Sequence, residues 1–225
     1  MIKFQKVFKR YPGGLEALSN ISFSVEKGEM VFVTGPSGAG KSTLLRLILG
    51  LEQVTSGNIQ VGSYQLKAMP RSDIPHLRQQ IGTVFQDHQL LKNKTAAENV
   101  ALPLLIANFP ESEAQRRVRA ALSKVGLNGK ENYLPEMLSG GEQQRVGIAR
   151  AMVCRPKIIL ADEPTGNLDP ALSLEIMAVF KQFQEAGVAV LIVTHDAGLI
   201  SGSNCRVINL DKGRLVSTSE GVASQ

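Results

Sequence analysis

Met30-Val31-Phe32-Val33-Thr34-Gly35-Pro36-Ser37-Gly38-Ala39-Gly40-Lys41-Ser42-Thr43 runs from an unbroken apolar segment into a glycine-rich turn. It leaves through Leu44-Leu45-Arg46-Leu47-Ile48-Leu49, which has helical periodicity. Gly35 to Ser42 match G-x-x-x-x-G-K-[ST] in full, and strand, loop, helix is the setting that motif requires. Glycines at 35, 38 and 40, with the small Ser37 and Ala39, let successive backbone N–H groups point inward as an anion nest. The following helix N-terminus adds its positive end. Lys41 then reaches the β- and γ-phosphates, Ser42 is placed to ligate Mg²⁺, and Thr43 directs a hydroxyl toward the α-phosphate. The stretch predicts an α/β nucleotide-binding fold.

Downstream, Ile158-Ile159-Leu160-Ala161-Asp162-Glu163 is a buried strand ending in two adjacent carboxylates. After a phosphate loop, such a pair assigns Asp162 to the metal and Glu163 to the attacking water as general base. His195 ends the apolar run Val190 to Thr194, and Gln86 follows the short strand Ile81 to Phe85. Both therefore belong at the crevice beyond the strands' C-terminal ends. Gln86 would meet Mg²⁺ or the water. Tyr11, in Tyr11-Pro12-Gly13-Gly14, offers a ring for adenine to stack on. Leu138-Ser139-Gly140-Gly141-Glu142-Gln143-Gln144 supplies further phosphate-facing groups that kinases, GTPases and helicases have no use for. It implies nucleotide shared between two copies of the chain.

Alternation in Ile2 to Val7 and Ile21 to Val25 predicts antiparallel strands near the N-terminus. Strands return at Lys157 to Ala161, Val188 to Val193 and Arg206 to Leu210, with a helix around Ala171 to Glu185. That order argues for a largely parallel sheet covered by helices. Helix-forming segments at Thr95 to Leu105 and Glu111 to Val125 mark an inserted helical lobe. The expected organisation is one domain, with 1–86 and 156–217 as the core and 87–155 as the lobe. Ser217 to Gln225 read as disordered.

Length and composition fit one compact unit: 225 residues, 43% hydrophobic and 20% charged. The N-terminus interleaves charge with apolar residues, which is neither a signal peptide nor an anchor. No apolar run approaches the ~20 residues that cross a bilayer. The expectation is a cytosolic chain, at a membrane only through a partner. Cys154 and Cys205 have no metal-ligand spacing and read as reduced thiols. The net charge of +5 is scattered, with one cluster at Arg116-Arg117-Val118-Arg119, and no tryptophan is present to stack bases. No nucleic-acid partner is expected.

Together these residues resemble the nucleotide-binding domain of the ABC transporter family over essentially the whole chain. Tyr11 matches the A-loop, Gln86 the Q-loop, Leu138 to Gln144 the signature, Asn167-Leu168-Asp169 the D-loop and His195 the switch histidine. The resemblance implies a RecA-like parallel sheet core with an N-terminal antiparallel β subdomain and an inserted α-helical subdomain. It implies a head-to-tail homodimer in which ATP on Lys41 of one copy is capped by Ser139, Gly140 and Gly141 of the other, Asp169 coupling the two sites. It also implies a cleft near Gln86 that receives a membrane subunit.

Within the family, Gln86-Asp87-His88-Gln89-Leu90-Leu91, Asn99 to Leu104 and Asp162 to Asp169 look like the cell-division ATPases of the FtsE group. The Glu-Pro-Thr-Gly-Asn-Leu-Asp part is shared with the lipoprotein-release (LolD) and efflux (MacB) ATPases. Pro36 departs from the histidine often seen in the FtsE group. The implied partner is an FtsX-like membrane protein at the cytoplasmic face of the inner membrane. The implied output is periplasmic peptidoglycan hydrolysis, with contacts to FtsZ and other division proteins. A lipoprotein exporter or drug-efflux motor is the runner-up. A DNA-acting coiled-coil ATPase needs a long insertion, which the spacing of 98 positions from Lys41 to Ser139 excludes. A divisome scaffold that binds ATP without turnover is opposed by the intact Glu163 and His195.

Overall fold

The computed structural model describes residues 1–166 and 168–219. A six-stranded sheet carries the fold in the order β10-β9-β3-β8-β7-β6. Its strands are β3 (Met30–Thr34), β6 (Ile81–Val84), β7 (Ile158–Asp162), β8 (Ala189–Val193), β9 (Arg206–Asp211) and β10 (Arg214–Ser219). All neighbours are parallel except the β9–β10 hairpin. A second, antiparallel sheet, β2-β1-β4-β5, is built from β1 (Ile2–Arg10), β2 (Glu16–Val25), β4 (Ser56–Val61) and β5 (Tyr64–Gln65).

The central strands are apolar throughout because helices or strands cover both of their faces, and side chains alternate between those faces. Val31, Val33, Ile158, Leu160, Leu191 and Val193 turn to one side. There they join Leu44, Leu45, Leu47 and Ile48 of α1 (Lys41–Ile48) and the inner face of the second sheet. Met30, Phe32, Ile159, Ala161, Val190 and Ile192 turn to the other side, against a helical layer. That layer holds α3 (Ala96–Ile106), α4 (Glu111–Lys124), α5 (Gly140–Met152) and α6 (Pro170–Glu185). Short helices α2 (Ile74–Gln79) and α7 (Ala197–Ser201) precede β6 and follow β8.

Helix starts follow capping chemistry. Thr95 and Ser139 cap α3 and α5 through capping boxes with Glu98 and Glu142, and Asp169 caps α6 by accepting from Leu172 N–H at 3.0 Å. The helices expected at Thr95 to Leu105 and Glu111 to Val125 form as α3 and α4, and their apolar residues share one core with the sheet face.

Two differences from the sequence reading have physical causes. Ser56–Val61 forms β4 although only Ile59 and Val61 turn fully inward; its partner β1 supplies the ladder. At Gly57 the backbone has φ 83°, and a Cβ would lie 2.1 Å from the Lys6 carbonyl oxygen, so the pairing depends on glycine. Ser217 to Ser219, expected to be disordered, belong to β10 because β9 offers an open edge. There Ser219 Oγ accepts from Val207 N–H at 3.3 Å. Residues 220–225, and Asn167 of the expected D-loop, lie outside the described residues.

Candidate active site

Strands β3, β6, β7 and β8 run in the same direction, so the residues leaving them collect along one edge of the sheet. Gly35 follows β3, Gln86 follows β6, Asp162 ends β7 with Glu163 just past it, and His195 follows β8.

The glycine-rich turn is wedged against its surroundings. A Cβ on Gly35 would meet the Leu210 carbonyl oxygen at 2.1 Å, and one on Gly40 (φ 102°) would meet the Ala17 carbonyl oxygen at 2.6 Å. Neither position tolerates a side chain. Ala39 N–H donates to Pro36 O at 3.1 Å, closing the turn, and Gly38 (φ 80°) faces open space. Lys41 Nζ folds back across the turn, donating to the carbonyls of Gly35 at 2.7 Å and Pro36 at 3.1 Å. Ser37 and Ser42 are exposed. Tyr11 stands over the first turn of α1, its hydroxyl 3.4 Å from Thr43 Oγ1. The Lys9 ammonium covers the Tyr11 ring at 4.7 Å from its centre and is itself fixed to Glu52 at 2.8 Å. A base stacking on Tyr11 would use the opposite face.

Asp162 is partly buried and its carboxyl pKa is raised, first by burial, then by neighbouring Glu163, with Lys41 opposing. Glu163 lies just past the strand in the left-handed region, with φ 46°. Its carboxylate is gripped from β8's end: Oε1 lies 2.6 Å from His195 Nδ1, and Oε2 accepts from Thr194 Oγ1 at 3.1 Å. The His195 side chain is 74% exposed and that of Glu163 12%, so the histidine reaches inward from solvent. The exposed Gln86 amide borders the same turn; a Cβ on Gly166 would lie 4.0 Å from its Nε2. Lys41, Asp162, Glu163, His195 and Gln86 are thus gathered at one crevice.

The signature segment reaches the turn after Glu163 only at its last residue, Gln144, which donates to Pro164 O at 2.6 Å. Among the described residues, no hydrogen bond or ion pair joins Ser139, Gly140 or Gly141 to that crevice. Ser139 and Gly140 are exposed, and Ser139 Oγ accepts from Glu142 N–H at 3.3 Å. Glu142 returns the bond, Oε2 accepting from Ser139 N–H at 2.9 Å, and its other oxygen pairs with Lys130. These contacts hold the Glu142 carboxyl below its usual range, Lys130 first. A Cβ on Gly141 would fall 2.2 Å from Leu172 Cδ2, so the signature turn lies directly on α6, which Asp169 caps.

Thr194, Lys130 and the pair His88–Gln144 escaped the sequence reading because each acts through a distant partner. The Ser139-x-x-Glu142 capping box did carry a local signal. Both cysteines are free and partly buried, and burial pushes their thiols up.

The ABC transporter family model matches residues 18–166. The cell division ATP-binding protein FtsE of Escherichia coli K12 is 51% identical over 215 residues, covering 96% of this chain and 97% of that protein. The FtsE protein of Mycobacterium tuberculosis is 46% identical over 96% of this chain and 94% of its own length. Among solved structures, the dimeric, post-hydrolysis ATP-binding cassette MJ0796 bound to ADP and Pi superposes with a TM-score of 0.91 at 35% identity, each chain covered in full. The cbiO1 protein of Clostridium perfringens, part of the ABC transporter complex cbiONQ, gives a TM-score of 0.88 at 31% identity over 98% of this chain and 88% of that one. The chain belongs to the ABC transporter family, as an ATP-hydrolysing cassette of the group that includes the cell division ATP-binding proteins FtsE.

Proposed function

We propose that this chain is the ATPase subunit of an FtsEX-type complex. Two copies close head to tail around ATP, and the closure is transmitted through an FtsX-like membrane protein to cell-wall hydrolysis at the division site. The observation that carries the hydrolytic part is the Glu163 carboxylate held by Thr194 and His195 beside the phosphate loop. In this reading Lys41 and the backbone of Gly35 to Gly40 bind the phosphates, with Thr43 at the α-phosphate and Tyr11 on adenine. Glu163 takes a proton from the attacking water. His195 orients Glu163 and Gln86 orients the water.

The site suits Mg²⁺. The Ser42 hydroxyl and the Asp162 carboxylate are hard oxygen donors, and Mg²⁺ takes one or two protein ligands and fills its shell with water and phosphate. Among the described residues no cluster of three His, Cys, Asp or Glu competes as a closed metal cage. Bound there, the ion would neutralise charge developing on the phosphates. Gln86 is a third candidate ligand.

The lack of any hydrogen bond or ion pair from Ser139 to Gly141 into the crevice among the described residues supports a composite site, in which a second copy brings its signature to the phosphates held by Lys41. Asp169, beside Gly141 through Leu172, would report each closure to the other site. Residues 87–155 act as the lobe that takes up the membrane partner's motion, with 1–86 and 156–217 as the catalytic core. No helix among the described residues is long and apolar enough to cross a membrane. Attachment to the inner membrane's cytoplasmic face accordingly goes through the partner, with FtsZ and other division proteins as further contacts.

Glu163→Gln tests the reading. It should bind ATP, lose nearly all turnover and elute as a dimer with ATP and Mg²⁺. Wild-type turnover would overturn Glu163 as base. Affinity capture from detergent-solubilised membranes should recover an FtsX-like subunit. A lipoprotein-release or efflux permease in its place would overturn the division role and keep the chemistry.

A further inference from the structure

Gln144, in the second turn of α5, is 2% exposed, in a helix whose neighbouring inward residues are Val146, Gly147, Ile148 and Ala149. An apolar side chain would fill such a position; a buried amide persists there only if its polar atoms are used. Both are. Nε2 donates to the Pro164 carbonyl oxygen at 2.6 Å, and Oε1 lies 2.5 Å from His88 Nδ1. Since the amide nitrogen faces a carbonyl, Oε1 is the acceptor and His88 must carry its proton on Nδ1. One side chain therefore ties the loop after Gln86, the signature helix and the turn after Glu163. Arg150, two turns along, fixes the same loop by donating to the carbonyls of Gln89 and His88, each at 2.7 Å.

The Pro164 end of this bridge matters because of Glu163. A non-glycine residue at φ 46°, directly before proline, lies in strained backbone and persists only when its surroundings over-determine it. Glu163 N–H donates to Val193 O at 2.9 Å, and its carbonyl accepts from Gly166 N–H at 3.2 Å. The Gln144 amide is the restraint that reaches this turn from the helical layer. We propose that Gln144 is a positioning residue of the ATPase: it holds the Pro164 carbonyl so that Glu163 keeps the backbone conformation directing its carboxylate to His195 and the water. Through His88 it makes that conformation responsive to the loop bearing Gln86. This rests on the reading of Glu163 as general base.

The test is Gln144→Met, close in size and without the amide, in the purified full chain. Turnover should fall about tenfold or more, as for other outer-shell supports, while affinity for a fluorescent ATP analogue changes less than about twofold. In a Glu163→Gln background the same substitution should leave residual turnover unchanged. Unaltered kcat, parallel loss of kcat and nucleotide affinity, or a further fall beyond Glu163→Gln would overturn the proposal. Should Gln144→Met fail to fold, His88→Ala removes only the outer arm. It should lower kcat several-fold while nucleotide affinity changes less than about twofold, and an unchanged kcat would overturn the proposal equally. Wild-type turnover in Glu163→Gln alone identifies the base assignment as the part that failed.

Discussion

At the scale of single residues, the site stores instability where it needs charge. The raised pKa of Asp162 means that the native state holds a proton more tightly there than the unfolded chain does. A cost to folding therefore develops as pH rises past the ordinary value of 3.8 and is fully present above the raised one. Asp162→Asn removes it. At pH 7, without Mg²⁺ or nucleotide, the variant should melt at a higher temperature than the wild type, while losing turnover. The gap should close as pH approaches 4, and an equal or lower melting temperature at pH 7 would refute the account. Glu142 has the opposite sign. Its carboxyl is held low by Lys130, the Ser139 N–H and the Ser139 hydroxyl, so its contribution to stability is present above the ordinary 4.5 and lost as pH falls through the lower native value. Lys130→Met should therefore be less stable than wild type at neutral pH and converge with it in acid. Melting curves from pH 7 to pH 3.5 decide this, and a pH-independent gap would count against the ion pair.

At the scale of elements, the contact between α5 and α6 is the most exacting in the helical layer, because a single missing methyl group makes it possible. Gly141→Ala places a Cβ 2.2 Å from Leu172 Cδ2, the free end of a half-buried side chain that must swing aside. Because a flexible side chain and not backbone gives way, the loss should stay at or below about 1 kcal/mol, the low end for overpacking. Leu172→Ala in the same chain should return most of that loss, and strictly additive destabilisation in denaturant melts would show that the two helices do not meet there. The elements themselves were legible to different degrees. Strands β3, β7 and β8 and helix α1 announced themselves because double-sided burial and a local motif act within ten residues of sequence. Strands β4 and β10 did not, since Ser56-Gly57-Asn58 and Ser217-Thr218-Ser219 become strands only by pairing with β1 and β9. The site divides in the same way. Lys41 opens α1 within a local motif, Asp162, Glu163 and His195 sit at the ends of apolar strands, and the structure gathers them. Thr194 and Glu163 lie 31 residues apart, and His88 and Gln144 56 apart, and no local pattern reports such partners.

At the scale of the whole molecule, one chain carries a phosphate cradle and a signature turn that no hydrogen bond or ion pair joins among the described residues, and two copies related by a twofold axis would supply each with its complement. Mixing tests this without a membrane partner if nucleotide retention is measured in a Glu163→Gln background, where hydrolysis cannot empty the site. Adding Lys41→Ala to one chain removes its cradle; adding Ser139→Ala to the other weakens its cap. In the heterodimer, the intact cradle of the second chain meets the intact signature of the first, while both defects meet in the other site. A one-to-one mixture should therefore retain roughly a quarter of the nucleotide held by the unmodified dimer, since about half the dimers are mixed and each has one sound site. Each variant alone should retain little. If cradle and signature served the same nucleotide within one chain, both variants would carry a damaged site and mixing would restore nothing. Retention no greater than the average of the two separate variants would thus exclude the shared site, and the closure that depends on it.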